Sequence, residues 1–278
     1  MKTKKLLLML TSGLIIFGYS SCKKASTSDE IETTFDLSAK QAISETLTED
    51  ANNILTETTE SLGLSGSREP LISMGTTSCA TVTVSPGAFP KTITLDFGTS
   101  GCTNPNSNVT RRGIITIVVS DSIRSIGSTA VMTFNNYYVN NYKKEGTITW
   151  TNISTPGTRS WTRQVVDGKI TAPDGRIWYH TSLKTITQVA GLSTPRILID
   201  DAYSITGTAT VTNPAGNTRN SVIEIPLHKQ VICDHVDQGS VRFQGAVHNA
   251  LLDYGNGICD NIATISIDGF TPRTITLP

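Results

Sequence analysis

The chain has no net charge: 23 lysines and arginines stand against 23 aspartates and glutamates. No global field steers it toward nucleic acid, and its basic residues are dispersed rather than gathered into a stripe. A membrane-spanning run is also missing, because Leu6 to Phe17 falls short of the roughly 20 apolar residues a span needs. Catalytic signatures are absent too. No His-Glu-x-x-His helix or Gly-x-Ser-x-Gly elbow accompanies His180, His228, His235 or His248. Asp96-Phe97-Gly98 spells the kinase magnesium motif without the glycine-rich loop, His-Arg-Asp or strand lysine that would make it one. Its aspartate reads instead as a turn cap. Cys233-Asp234-His235 has no close cysteine pair or second clustered histidine, so no metal site is expected. Asp253, Asn256, Asp260 and Asn261 lack EF-hand spacing. The carboxylate pairs Asp200-Asp201 and Asp234/Asp237 read as solvated edges. The chain is read as a non-enzyme without a cofactor.

What is present begins with five cysteines. Lys2, Lys4 and Lys5, the apolar run and Gly18-Tyr19-Ser20-Ser21 form a secretory signal over residues 1–21. Cys22 then stands where a bacterial lipoprotein would be acylated. The four remaining cysteines suit an oxidising compartment. They belong to a stretch that occurs twice, Leu95-Asp96-Phe97-Gly98 to Cys102 and Leu252-Asp253-Tyr254-Gly255 to Cys259, with Cys79 and Cys233 upstream. Of the three possible pairings, Cys79–Cys102 and Cys233–Cys259 each close a loop of roughly 25 residues within one copy, each adding about 3 kcal/mol.

Residues 22–35 are polar and read as a tether. Over residues 36–63 an acidic amphipathic helix is expected, with Asp36 or Ser38 as N-cap and Ile43, Leu47, Ala51, Ile54 and Leu62 along one side. Its serines and threonines weaken it, so it needs a partner surface. Residues 29–69 carry ten acidic side chains against Lys40 and Arg68, whereas the rest of the chain beyond them is mildly basic. The plainest reading is a solvated acidic helix ahead of a basic sheet; docking by charge is the alternative.

From residue 70 to 278 the texture is that of half-buried antiparallel strands. Thr81–Val84, Thr92–Leu95, Gly113–Val119, Val131–Val139, Gly146–Asn152 and Tyr203–Thr212 alternate threonine with Ile, Val, Tyr or Trp, and further segments follow to Leu277. Pro86-Gly87, Asp167-Gly168, Asp174-Gly175, Pro214 to Asn217 and Asp268-Gly269 supply the turns. Several strands are read as opening with glycine, at Gly113, Gly146, Gly168, Gly207 and Gly239. No helical pattern interrupts residues 78–278, which excludes parallel βαβ units. The expected fold is all-β, an antiparallel meander of many hairpins in a strongly curved sheet or sandwich, with the N-terminal helix filling the concave side.

The best lead to a ligand is an aromatic cluster, Tyr137, Tyr138, Trp150, Trp161, Trp178 and Tyr179, flanked by arginines. Neighbouring strand residues point to opposite faces, so an exposed aromatic strip that stacks on sugar rings competes with a wholly buried cluster. Expected partners are the membrane, through the lipid on Cys22, and a polysaccharide or another envelope protein, not nucleic acid.

Ser21-Cys22-Lys23-Lys24, Thr110 to Gly113, Phe134 to Asn140, Lys144 to Thr147 and Asp253 to Gly257 together resemble the uncharacterised threonine-rich all-β surface lipoproteins of bacteria. The resemblance implies an outer-membrane protein, surface-exposed or facing the periplasm, and carries over no reaction and no catalytic residue.

Overall fold

The computed structural model describes residues 27–65, 75–105, 107–195 and 197–278. The signal segment, Cys22 and the first residues of the tether lie outside them. One α-helix, Thr27–Ser61, precedes fourteen strands. They are β1 (Thr81–Val84), β2 (Lys91–Asp96), β3 (Cys102–Thr103), β4 (Thr110–Val119), β5 (Thr129–Val139), β6 (Tyr142–Asn152) and β7 (Ser160–Thr171). After these come β8 (Ile177–Ala190), β9 (Ala202–Thr212), β10 (Thr218–Gln230), β11 (Gln238–Gln244), β12 (Ala250–Asn256), β13 (Ile262–Ile267) and β14 (Arg273–Thr276). Each strand pairs antiparallel with the next in one sheet, except that the two-residue β3 hangs off β4 and β2 pairs β4 directly. The sheet does not close, and β1 and β14 are its edges.

Alternation sets the two faces. On β9, Ile205, Ala209 and Val211 are buried while Thr206 and Thr208 face solvent. The repeated stretch does the same work at two places. Asp96 ends β2, whereas Asp253 lies inside β12 beside a register shift, and each carboxylate accepts the N–H of the glycine two residues on at 2.8 Å. Leu95 and Phe97 are buried in the first copy, and Leu252 and Tyr254 in the second. Cys79, just before β1, is bridged to Cys102 of β3, and Cys233–Cys259 joins the connections that flank the β11–β12 hairpin.

The recurring glycines do not open strands. Gly113, Gly146, Gly168, Gly207 and Gly239 lie inside β4, β6, β7, β9 and β11. Register shifts fall beside Gly113, Gly146, Gly168 and Gly239, so these glycines mark bulges where the sheet bends. Asp167-Gly168, expected as a turn, belongs to such a bulge inside β7, with Asp167 at φ 52°. Gly113 shows why no side chain fits. Its φ is +89°, and a Cβ there would lie 2.0 Å from the carbonyl oxygen of Asn136. Gly113→Ala is therefore expected to lose at least the 1–3 kcal/mol that such a backbone conformation costs, measured by urea unfolding.

The bent sheet curls around the helix. At 35 residues the helix is about 52 Å long, and it begins nine residues before the expected start, so most of the tether is helical. Asp36 and Ser38 sit inside it rather than capping it. Asp36 pairs with Lys40 one turn on at 2.6 Å, and the Ser38 hydroxyl donates to the Thr34 carbonyl. From Leu37 to Glu60 no residue is exposed. The helix is not amphipathic: polar and apolar sides are buried alike.

Its hydroxyls are satisfied locally. Ser44, Thr46, Thr48 and Thr59 donate to carbonyls four residues back. Its carboxylates are met by bases on the sheet, which overturns the picture of a solvated acidic helix. Glu45 pairs with Arg163 of β7 at 2.9 Å and with Lys184 of β8, and Glu49 pairs with Arg163 at 2.6 Å. Asp50 pairs with Arg111 of β4, and Glu30 with Arg219 of β10. Burial works to raise the Glu45 carboxyl, yet the charges of Lys184 and Arg163 outweigh it and hold the group down at about 2.

Candidate functional site

The aromatic cluster is not an exposed strip. Tyr137, Trp150 and Trp178 point inward and are buried, and each is bonded to the helix. The Tyr137 hydroxyl donates to Asp50 at 3.2 Å, Trp150 Nε1 to Asn52 at 3.1 Å and Trp178 Nε1 to Ser44 at 2.8 Å. Tyr138 and Tyr179 are their outward neighbours on β5 and β8. Tyr138 is half-buried under the Arg112 guanidinium, 3.7 Å from the ring centroid, and Tyr179 is exposed. Alternation divides the cluster as strand geometry requires. Trp161 alone is half-buried on the inner side, at the rim of a cavity.

That cavity, of about 50 Å³, lies at the C-terminal end of the helix. Asn52, Leu55, Thr59 and Glu60 form its helical wall, and Trp150, Trp161, Ile186 and Tyr203 come from β6 to β9. Arg124, Arg159, Leu198 and Asp201 enter from connections between strands.

The polar groups of the cavity are held in place. Arg124 pairs with Glu60, and Glu60 also accepts the Ser65 hydroxyl at 2.6 Å. Arg159 donates to Gln188 Oε1 at 3.3 Å, and Gln188 Nε2 donates to Asp201 at 2.7 Å. The Tyr203 hydroxyl donates to the other Asp201 oxygen at 3.2 Å. Asp200 is exposed, but Asp201 is buried, so that pair is not simply a solvated edge. Burial, aided by the Asp200 charge and opposed by the Tyr203 hydrogen bond, pushes the Asp201 carboxyl up to about 7.

The raised value has a consequence for stability. Between pH 4 and 7 the folded chain holds a proton on Asp201 that the unfolded chain releases, so this group lowers stability as pH rises through that window. Asp201→Asn mimics the protonated form. Relative to the parent, the variant should gain stability between pH 4.5 and 8, as read by paired urea titrations; a constant difference would show that Asp201 is ionised throughout.

A second cavity, of about 180 Å³, lies between the two disulfide-stapled corners, bounded by Thr76, Asn104, Arg111, Asp234 and His235 above Asp50 of the helix. It holds none of the aromatic residues nominated from the sequence. The four histidines are scattered. His180 is buried, and burial together with the nearby Lys144 charge lowers it to about 3. His228 bonds Asp237 at 2.6 Å on the sheet's outer side, His235 bonds the Pro278 carbonyl oxygen at 3.1 Å and His248 bonds Glu30 at 2.9 Å. None faces the first cavity. Asp253 and Asp260 spend their carboxylates on turn N–H groups. Among the described residues no group of three or more His, Cys, Asp or Glu is placed to hold a metal ion.

Comparison with family models, curated proteins and solved structures finds no match. The site must be read from its own geometry. Sequence reasoning nominated Trp150 and Trp161, named Arg159 only as a flanking arginine, set Asp201 aside as a solvated edge, and missed Arg124 and Tyr203. Only their spacing from the aromatic strands could have drawn them in, and that spacing carries no recognisable motif.

Proposed function

We propose that this chain is a lipid-anchored protein of the bacterial outer membrane that binds a small ligand in the cavity at the C-terminal end of its helix and catalyses no reaction. Supporting the compartment are the signal-like N-terminus ahead of Cys22 and two disulfides, which need an oxidising environment. The observation that carries the binding reading is the cavity itself: a partly open, mainly apolar hollow walled by Trp150, Trp161 and Tyr203, with a few fixed polar groups around it. Trp161 is half-buried at the rim, its Nε1 donating to the Ile123 carbonyl oxygen at 3.4 Å, and its indole is less enclosed than that of Trp178.

A thermal-shift screen of the mature protein against sugars, amino acids, nucleosides and carboxylic acids tests the binding role. At least one compound should raise the melting temperature of the parent but not of Trp161→Ala. No shift, or equal shifts in both, would remove the cavity from consideration. The anchor is tested separately by labelling cells with radioactive palmitate, which should mark the parent and leave Cys22→Ser unlabelled.

A further inference from the structure

The helix starts at one rim of the sheet, and that rim lies close to the anchor. Residues 23–26 alone separate Cys22 from Thr27, the first residue of the helix. Fully extended, that link spans no more than about 18 Å. One turn into the helix, Glu30 is fixed to the sheet. It pairs with Arg219 near the start of β10, bonds His248 Nδ1 at 2.9 Å and accepts the Val247 N–H at 3.4 Å. Glu32 accepts Arg273 Nη1 of β14 at 2.9 Å. The helix start is therefore held against the β9–β10, β11–β12 and β13–β14 connections, residues 213–217, 245–249 and 268–272, which follow one another along the rim. We propose that this rim docks on the lipid bilayer, with Val247 and Phe270 entering the interface between headgroups and acyl chains. This rests on the reading of Cys22 as a lipid anchor and adds which face of the β-domain meets the membrane.

Apolar side chains stand out from the rim. Val247 is 70% exposed and Phe270 44%. They belong to one platform, because the His248 ring packs edge-on against Phe270 with centroids 5.4 Å apart, and the Asn249 N–H donates to Asp268 at 3.1 Å. The rim also carries little charge to desolvate. Its three connections contain no lysine or arginine and a single carboxylate, Asp268, and behind them Glu30 and Glu32 are already paired. Placing such a surface against lipid strands no unpaired cation and leaves one hydrogen-bonded carboxylate to stay at headgroup level. The opposite end of these strands differs. Ile232 and Ile258 are exposed there too, but among the exposed Asp234 and Asp260. The length of β11, seven residues, sets that end about 23 Å from the rim. Tether and charge select the same side.

The test uses the full lipoprotein, isolated with its acyl chains and reconstituted in vesicles of phosphatidylethanolamine and phosphatidylglycerol, with or without lipids brominated near the top of the acyl chains. Phe270→Trp and Ile258→Trp place an indole at the rim and at the opposite end. Side chains at an interface sit about 5–10 Å into the boundary of headgroups and acyl chains, within reach of those bromines. Brominated lipid should quench Phe270→Trp beyond the parent protein, and Ile258→Trp no more than the parent. Adding Val247→Asp to Phe270→Trp should cut that quenching at least about twofold, because a carboxylate resists burial in lipid. Equal quenching of the two indoles, or none in either, from protein that floats with the vesicles would overturn the docked rim and leave the anchor standing. Protein that does not float would overturn the anchor and the inference together. An emission shift of Phe270→Trp that grows with protein density and ignores bromination would assign the rim to a second copy of the chain and overturn the bilayer as its partner.

Discussion

Arg163→Met is expected to destabilise the protein by about 3–5 kcal/mol, the cost of stranding buried charge. Arg163 is fully enclosed and stands between Glu45 and Glu49 of the helix. Without it, the two buried carboxylates keep one direct ion-pair partner, Lys184, with Lys144 and Lys229 farther off, and one negative charge has no paired counterpart in a medium that solvates it poorly. The double change Arg163→Met with Glu49→Leu removes one charge of each sign and keeps the Glu45–Lys184 pair. It should recover most of the lost stability, because a buried pair replaced by apolar groups of similar volume is often neutral. Urea unfolding of the three proteins decides the matter. A loss below about 1 kcal/mol for the single variant would mean that these groups are hydrated.

The second large effect concerns the staples, which should not be equivalent. Each closes a similar loop, with separations of 23 and 26 residues, and on chain entropy alone each contributes about 3 kcal/mol. Cys79–Cys102 ties β1, an edge strand whose four residues are all exposed. Its removal can be absorbed by local fraying of that hairpin. Cys233–Cys259 joins the β10–β11 connection, where Cys233 is buried near Val231, Val236 and Asp237, to the connection after β12. Here fraying would open the core. Cys233→Ala with Cys259→Ala should cost the full 3 kcal/mol or so in global unfolding. Cys79→Ala with Cys102→Ala should cost clearly less globally but expose β1 and β2 to proteolysis. Equal global losses would contradict this ranking.

These expectations depend on features that were unevenly legible in the sequence. Strand alternation and tight turns were plain, because side-chain direction in a strand has a period of two that needs no context. The disulfide pairing was legible from the repeat, and Asp96 caps the end of β2 as its spacing to Gly98 implied, whereas the matching Asp253 to Gly255 lies at an irregularity inside β12. Glycines were misread because a bulge and a strand start both call for residues without a Cβ; only the neighbouring strand, such as Asn136 opposite Gly113, distinguishes them. That error also hid the continuity of β7 through Asp167-Gly168.

The helix misled in a more general way. A polar residue is normally assigned to the surface, so a segment with ten carboxylates nearby reads as solvated. Its true environment was written in residues far away: Arg111, Arg163, Lys184 and Arg219 lie on separate strands, each spaced so as to look like an isolated strand charge. Likewise, the inward or outward sense of the aromatic residues depends on register. Trp150 and Trp178 follow the inner face, whereas Tyr138 and Tyr179 fall on the other side. The cavity arises where charge pairing along the helix gives way to Asn52, Leu55 and Thr56, a change visible only once the sheet is wrapped around it.

Hydrogen exchange of the mature protein, resolved by mass spectrometry over peptides from residues 37–60, tests most directly whether this acidic helix is the core of the β-domain. The expected result is protection of the helix amides equal to that of β6 to β9, with all of them opening only in global unfolding. Helix amides that exchange within seconds while those strands stay protected would contradict it, and the cavity built between helix and sheet would fall with it.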